Sequence, residues 1–388
     1  MDFDLIIVGG GLVGASLAAV LRNAGVTIAL VEAHARTPVP ADGSWDSRVY
    51  AIGPGSAVFL DECDAWQRID AARIERIEAM HVWGDDGASR LEFSAYDAGL
   101  RELAYVAESR LVQEALWSAL AGSPAVQLFC PAQCAALTVE ADHAQLDLDG
   151  DRRIRARLVV AADGGESWVR AQAGIAAAAR PYRQTGVVAN FRAEQPHRGI
   201  AFQWFRHDGV LALLPLPENR VSMVGSCTDE LAARLLALSA PALEAEVCQA
   251  SHAALGALST LTPAAGFPLR MQRARRLIAS RVALVGDAAH NVHPLAGQGV
   301  NLGFRDAREL ARVIGGRGAQ GDCGDRFLLR RYERARQEDI LAMQFATDGL
   351  QRLFASRGRG ISRLRNFGLR ATENWSQLKN FLVWQAVR

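Results

Sequence analysis

The chain has 388 residues, half of them hydrophobic. That is enough to bury a large core and to form two domains or one large composite domain. Lysine plus arginine number 43 and aspartate plus glutamate 42, a balance that argues against nucleic acid or a strongly acidic partner. Six cysteines (Cys63, Cys130, Cys134, Cys227, Cys248, Cys323) follow neither a disulfide nor a zinc spacing and read as reduced thiols of a cytoplasmic protein. The apolar stretch 5–21 lacks a basic leader, since Asp2 and Asp4 stand there. No apolar run is long enough to span a membrane.

Residues 4–8 (DLIIV) predict a short buried strand, Gly9 to Gly14 a turn, and Ala15 to Ala24 a helix. Residues 27–32 (TIALVE) predict a second strand ending in Glu32, which completes a βαβ unit. Residues 34–47 read as loop and 109–121 as an amphipathic helix. Residues 126–149 suggest strands with a hairpin near Ala141–His143, and 157–163 a buried strand delivering Asp163. The middle is β-rich at 185–192, 200–206, 210–216 and 220–226, then helical over 229–256. The pattern returns to α/β with a strand at 281–287, a helix at 299–314, a glycine-rich loop and a long helix over about 325–350. The simplest architecture is a discontinuous nucleotide-binding domain carrying an inserted antiparallel sheet domain.

Three strand-to-helix junctions carry chemistry. At the first, Gly9-x-Gly11-x-x-Gly14 lets backbone approach a pyrophosphate at a helix N-terminus, and Glu32 follows as an acceptor for ribose hydroxyls. This pattern does not separate FAD from NAD, because both present ADP. At the second, Asp163-Gly164 with Ser167 and Arg170 fits a pyrophosphate-facing turn. Taken alone it reads rather as a plain turn, with Ser167 as cap and Arg170 on a solvated face. At the third, Gly286 and Asp287 end a strand, and Gly297, Gln298 and Gly299 open a helix through Val300 and Asn301. A carboxylate at that point can hold a polyol, and bare N–H groups can face an electron-rich ring. His290 and His293 are three apart without a third ligand nearby and read as structural or pocket-lining rather than as a metal site. Arg48 and Arg110 are either phosphate- or ribityl-binding cations or solvated surface arginines.

Together these junctions resemble the FAD-dependent aromatic hydroxylases, the group A flavoprotein monooxygenases, and within them the ubiquinone-biosynthesis hydroxylases. The match rests on Gly9–Gly14 with Glu32, Arg48, residues 105–116 (YVAESRLVQEAL), Asp163–Arg170 and Gly286–Asp306, and on 209–216 (GVLALLPL) and 347–354 (TDGLQRLF) for the ubiquinone branch. It covers nearly the whole chain. The resemblance implies a Rossmann-like FAD-binding domain of the glutathione-reductase and p-hydroxybenzoate-hydroxylase type (1–75, 100–178, 270–345). An antiparallel β-sheet substrate domain (76–99, 179–269) and a C-terminal helical segment (346–388) would complete the chain. Gly9, Gly11 and Gly14 would face the FAD pyrophosphate and Glu32 the adenosine ribose. Arg48 and Arg110 would lie near the ribityl–phosphate region, and Asp163 and Gly164 would form a motif linked to FAD and NAD(P)H. Asp287 would bind the ribityl chain. Pro294 and Gly297 to Gly299 would pack beside the isoalloxazine.

The family's chemistry runs through a C4a-flavin hydroperoxide, so no protein nucleophile is expected, and the chain has no G-x-S-x-G segment. NADH or NADPH would dock transiently in the domain groove. Phe202, Trp204, Phe205, Leu213 and Pro215 are candidate pocket walls with core packing as the alternative, and His207 and Tyr182 are candidate bases for a phenol. The implied substrate is a polyprenylated aromatic ring, with O2 as co-substrate and a ubiquinone-biosynthesis complex as setting. Residues 352–388 hold eight basic residues and one acidic residue, Glu373, interleaved with aromatics and leucines. They read either as a peripheral contact with the inner face of a membrane or as helices packed on the flavin domain.

Overall fold

The computed structural model describes residues 1–85, 89–291, 298–318 and 321–355. Its nucleotide-binding part is built on a sheet whose central five strands run parallel, in the order Val282–Leu284, Arg153–Ala161, Phe3–Val8, Ile28–Val31 and Val126–Phe129. Both faces of this sheet are covered, so its strands are continuous apolar runs rather than alternating ones. Leu5, Ile6, Ile7, Ile28, Leu30, Leu158 and Val160 are fully buried. Ala144–Leu148 and Cys134–Val139 extend the Arg153–Ala161 strand antiparallel, with the expected turn between them. Helices Leu12–Leu21, Ser109–Leu120 and Gln298–Gly315 pack into the same core.

A second sheet has the order His290–Asn291, Ala265–Ala274, Ala177–Ala193, Arg220–Thr228, Gly209–Leu216, Ile200–Arg206, Ala79–Trp83 and Arg90–Ser94. One of its faces carries Val187, Phe191, Phe202, Trp204, Leu213 and Met223. That face is closed by Ala232, Leu243 and Val247 from helices Asp229–Leu236 and Ala240–Ala250. The sequence pattern predicts one helical stretch over 229–256. The chain instead breaks it at Ala237–Ser239, because Pro241 fits only in the first turn of a new helix.

A small third sheet joins Val49–Ile52, Ala104–Glu108 and Glu75–Ile77. The chain crosses from the first sheet to the second through the Gly286–Ala288 turn, after which His290 pairs with Arg273 and Asn291 with Gln272. The Val13 side chain wedges between Gly286 and Gly303: a Cβ on Gly303 would come within 2.6 Å of Val13 Cγ2, and one on Gly286 within 3.2 Å. This interlock fixes the first helix against the start of the late helix. Among the described residues no helix is long and apolar enough to cross a membrane.

Candidate active site

The first helix begins at Gly11 without a side-chain cap, so the N–H groups of Leu12, Val13 and Gly14 lack intrahelical partners. Nothing lies within 4 Å of where a Gly11 side chain would be, so that approach is open. The other glycines meet steric demands. Gly9 has φ +106, and a Cβ there would sit 2.3 Å from the Ala162 carbonyl oxygen; one on Gly14 would sit 1.9 Å from the Gly9 carbonyl oxygen. Glu32 reaches this loop: one carboxylate oxygen accepts from the Gly10 N–H (2.7 Å) and the other from the His34 N–H (2.9 Å). Behind it, Trp117 Nε1 (2.8 Å) and Gln113 Nε2 (3.3 Å) both donate to the Gly10 carbonyl.

The second junction is more than a capped turn. Ser167 does accept from the Arg170 N–H (3.0 Å), but Arg170 is not on a solvated face. Its guanidinium donates to Gly165 O and Ala288 O, both at 2.9 Å, and so ties this loop to the residue after Asp287. Gly164 takes φ +85, with open space where a side chain would be. Asp163 accepts from the Val169 N–H at 3.0 Å with one oxygen, while its other oxygen is buried without a partner among the described residues.

At the third junction Asp287 is solvent-exposed yet closely surrounded by protein. That surrounding desolvates its carboxyl and raises it, and Asp306 adds to the rise, against His290 and Arg48. Beneath it lies a buried charge hub. Asp306 accepts from Gly286 N (2.9 Å), His290 Nε2 (2.6 Å) and Arg336 Nε (2.7 Å), and Arg336 also donates to Asp339 (2.6 Å). Burial pushes the Asp306 carboxyl up, but His290 and Arg336 outweigh it and hold it below the usual range. His290 therefore braces the turn. His293, Pro294 and Gly297 lie outside the described residues.

The late helix starts at Gln298 and leaves the N–H groups of Gln298, Gly299, Val300 and Asn301 at its open end. A Gly299 side chain would meet nothing within 4 Å, and Val300 packs on the main core. The Asn301 side chain bonds Gly53 N (3.0 Å) and Ala51 O (2.9 Å), and so binds the helix to the strand that follows Arg48. Arg48 is exposed, lies 5.5 Å over the Tyr50 ring and acts on the Asp287 charge. Arg110 donates to Ser44 O and Glu108, and its Nε is buried without a partner among the described residues.

Several supports were missed from sequence. Fully buried Glu108 accepts from Asp46 N (2.6 Å) and Arg73 (2.5 and 2.8 Å), which fixes the loop ahead of Arg48. Trp45 in that loop lies between the Arg73 and Arg220 guanidiniums, at 4.1 and 5.1 Å. The spacing of Gln113 and Trp117, one helical turn apart, was the only local sign of their shared task.

The pocket walls need correction. Phe202, Trp204 and Leu213 face the helix-covered core of the second sheet, and Phe205 packs with Val82, Leu91 and Val210. Pro215 shares the strand face of Leu213 and is buried. The cause is strand alternation: every second residue goes under the helices, and Phe202 and Trp204 hold those places, whereas Phe205 falls on the opposite face, with Gln203. His207 is exposed in a turn, and Tyr182 lies where the register of its strand shifts.

The FAD binding domain family matches residues 2–344. Ubiquinone hydroxylase UbiL of Rhodospirillum rubrum is 36% identical over 386 residues, 99% of this chain and 89% of that protein. The 3-demethoxyubiquinol 3-hydroxylase of Escherichia coli is 34% identical, over 97% of this chain and 96% of its own length. Among solved structures, Pseudomonas aeruginosa PqsL in complex with 2-aminobenzoylacetate has a TM-score of 0.81 at 23% identity, over 95% of this chain and all of the other. The p-nitrophenol 4-monooxygenase PnpA of Pseudomonas putida has a TM-score of 0.79 at 17% identity, over 99% and 98%. With the fold, a family match over most of the chain and near full-length relatives in agreement, the chain belongs to the FAD- and NAD(P)H-dependent aromatic hydroxylases, the group A flavoprotein monooxygenases, in their ubiquinone-biosynthesis branch.

Proposed function

We propose that this chain hydroxylates the aromatic ring of a polyprenylated phenol, a ubiquinone precursor, using NADH or NADPH and O2. Two relatives named for ubiquinone chemistry, aligned over nearly the whole chain, support the substrate class. The observation that carries the reading is the Val13 interlock, which sets the bare start of the first helix beside the Asp287 turn.

The residues present fit FAD. Buried Asp163 Oδ1 and Arg110 Nε lack partners among the described residues, and the approach at Gly11 is open. Gly9, Gly11 and Gly14 keep the helix amides bare for the pyrophosphate. Glu32 retains acceptor capacity for the adenosine ribose. Arg48 and Arg110 serve the phosphate and ribityl region, Asp163 and Gly164 line the second junction, and Gly286 lets Asp287 turn toward the ribityl hydroxyls. The amides of Gln298 to Asn301 would face the ring, where a helix start favours negative charge, and the resemblance adds Pro294 and Gly297 to that group. FAD supplies electron uptake from NAD(P)H and activation of O2 for transfer to a ring. The protein's part is to bind, orient and exclude water.

In this reading residues 1–75, 100–178 and 270–345 hold the flavin, and 76–99 with 179–269 form the substrate side. The basic segment within 346–388 docks on the inner face of the membrane beside other ubiquinone-biosynthesis proteins. Exposed Arg326, Arg330, Arg331 and Arg334 on the preceding helix add to its positive surface.

Deleting the gene and identifying the accumulated quinone intermediates by mass spectrometry tests the substrate. Accumulation of a ring-unhydroxylated prenylphenol is expected, and an unchanged quinone pool would end the proposal. The cofactor residues make a separate prediction. Asp287 sits in a place that raises its carboxyl, so its ionisation costs the apoprotein stability once the pH exceeds the usual carboxylate range of about 4. Asp287→Asn is expected to raise the apoprotein melting temperature at pH 8 and to lose that advantage below about pH 3.5. The same variant should bind FAD at least tenfold more weakly, and equal FAD affinity would refute the role of Asp287.

A further inference from the structure

The face of the second sheet opposite the helices carries polar groups that the protein itself leaves unmet. Phe202 and Trp204 go under the helices, so Gln203 between them points the other way. Gln203 pairs with Ala212, Ala212 with Val224 and Val224 with Val188, so these four residues form one row across that face. Ala212 and Val224 are only half-buried, which leaves an apolar floor open.

Gln203, 5% exposed, sits in that row as a polar side chain among apolar ones. One pleat along, Asn190 pairs with Ser222; both are fully buried, and Asn190 Oδ1 and Ser222 Oγ lack partners among the described residues. Asn190 Nδ2 donates to Asp46 O at 2.8 Å, two residues from Arg48, so this end of the floor is pinned to the proposed flavin loop. A buried Asn190 carbonyl and Ser222 hydroxyl that find no partner among the described residues are costly, and a sheet core would be better served there by apolar side chains. The cost is removed when a ligand brings its own donor and acceptor. A phenolic O–H does both, and a carboxamide meets it from either side.

We infer that Gln203 is a specificity-determining residue: its carboxamide hydrogen-bonds an oxygen substituent of the aromatic ring lying on the Val188–Val224–Ala212 floor, with the Ser222 hydroxyl as a second contact. This rests on the aromatic-substrate reading above. A site built to bond a hydroxyl rejects a ligand whose hydroxyl is masked.

The test uses flavin-loaded full-length protein and a matched pair, 2-prenylphenol and its O-methyl ether. Affinity is read from the change in flavin absorption, with stimulation of NADH oxidation as a second readout. The wild type should prefer the phenol. Gln203→Leu should weaken phenol binding about tenfold and leave the ether within about twofold. Gln203→Met is the second variant, should the leucine protein not take up flavin. Ser222→Ala should give a smaller loss with the same selectivity. Wild-type phenol affinity in both Gln203 variants, or a wild type that binds phenol and ether alike, would overturn the inference while the aromatic-substrate reading stands. A flavin-loaded wild type that responds to neither ligand would overturn both.

Discussion

Gly14→Ala will yield a protein nearly empty of flavin. A Cβ at this position would lie 1.9 Å from the Gly9 carbonyl oxygen, with the Ala162 side chain 3.0 Å away on the other side. Neither neighbour can give way cheaply. Gly9 is held by its N–H to Val31 O (2.8 Å), and Ala162 by its N–H to Val8 O (2.8 Å). The first turn of the helix must therefore tilt, and its bare amides lose their aim. Losing two charge-assisted hydrogen bonds at about 1.5 kcal/mol each weakens FAD binding about 100-fold. The ratio of flavin to protein absorbance after purification, and titration of apoprotein with FAD, measure it. A fully loaded Gly14→Ala protein would show that the glycine loop does not hold the pyrophosphate.

The second large effect belongs to Asp306. It is fully buried and answers three donors, from Gly286, His290 and Arg336. Asp306→Ala leaves Arg336 inside the protein with Asp339 as its remaining carboxylate partner, and leaves Gly286 N without its acceptor. Breaking a buried pair in this one-sided way costs about 3–5 kcal/mol. Urea unfolding should show that loss together with weakened FAD binding, since the Asp287 turn loses its brace. The pH dependence has a defined sign. The native carboxyl lies below its ordinary value, so its stabilisation is present above about pH 4 and disappears as pH falls through the lower, native value. Asp306→Asn should flatten the acid limb of the stability curve. A destabilisation under about 1 kcal/mol for Asp306→Ala would refute the hub.

What could be read from the sequence was what local chemistry dictates. The glycine fingerprint, the acidic residue after the second strand and the strand-end Asp287 each depend on neighbours within a few tens of residues. The supports do not. Trp117 serves Gly10, and Arg336 serves Asp306 across 30 residues. Nothing in the spacing of those residues marks the pairing. Arg170 looked solvated because its acceptors, Gly165 O and Ala288 O, are backbone atoms that a sequence does not display. Four of the five pocket walls, all but Phe205, failed for another reason. Alternation along 200–206 tells which residues share a face, but not which face the later helices cover. The aromatics Phe202 and Trp204 went to the covered side, and the less conspicuous Gln203 to the open one.

The wedge of Val13 between Gly286 and Gly303 has a consequence for how the protein is made. The first glycine motif leaves the ribosome some 270 residues before the glycines that lock Val13 in place. On the proposed function, a partly synthesised chain lacks the Asp287 turn and the late helix that would complete the flavin site, however well its opening βαβ unit has formed. Contacts that distant in sequence also close slowly and leave apolar strands uncovered in the interval. Flavin supply during synthesis should therefore matter little for the nascent chain, and decide the yield of active protein only after release.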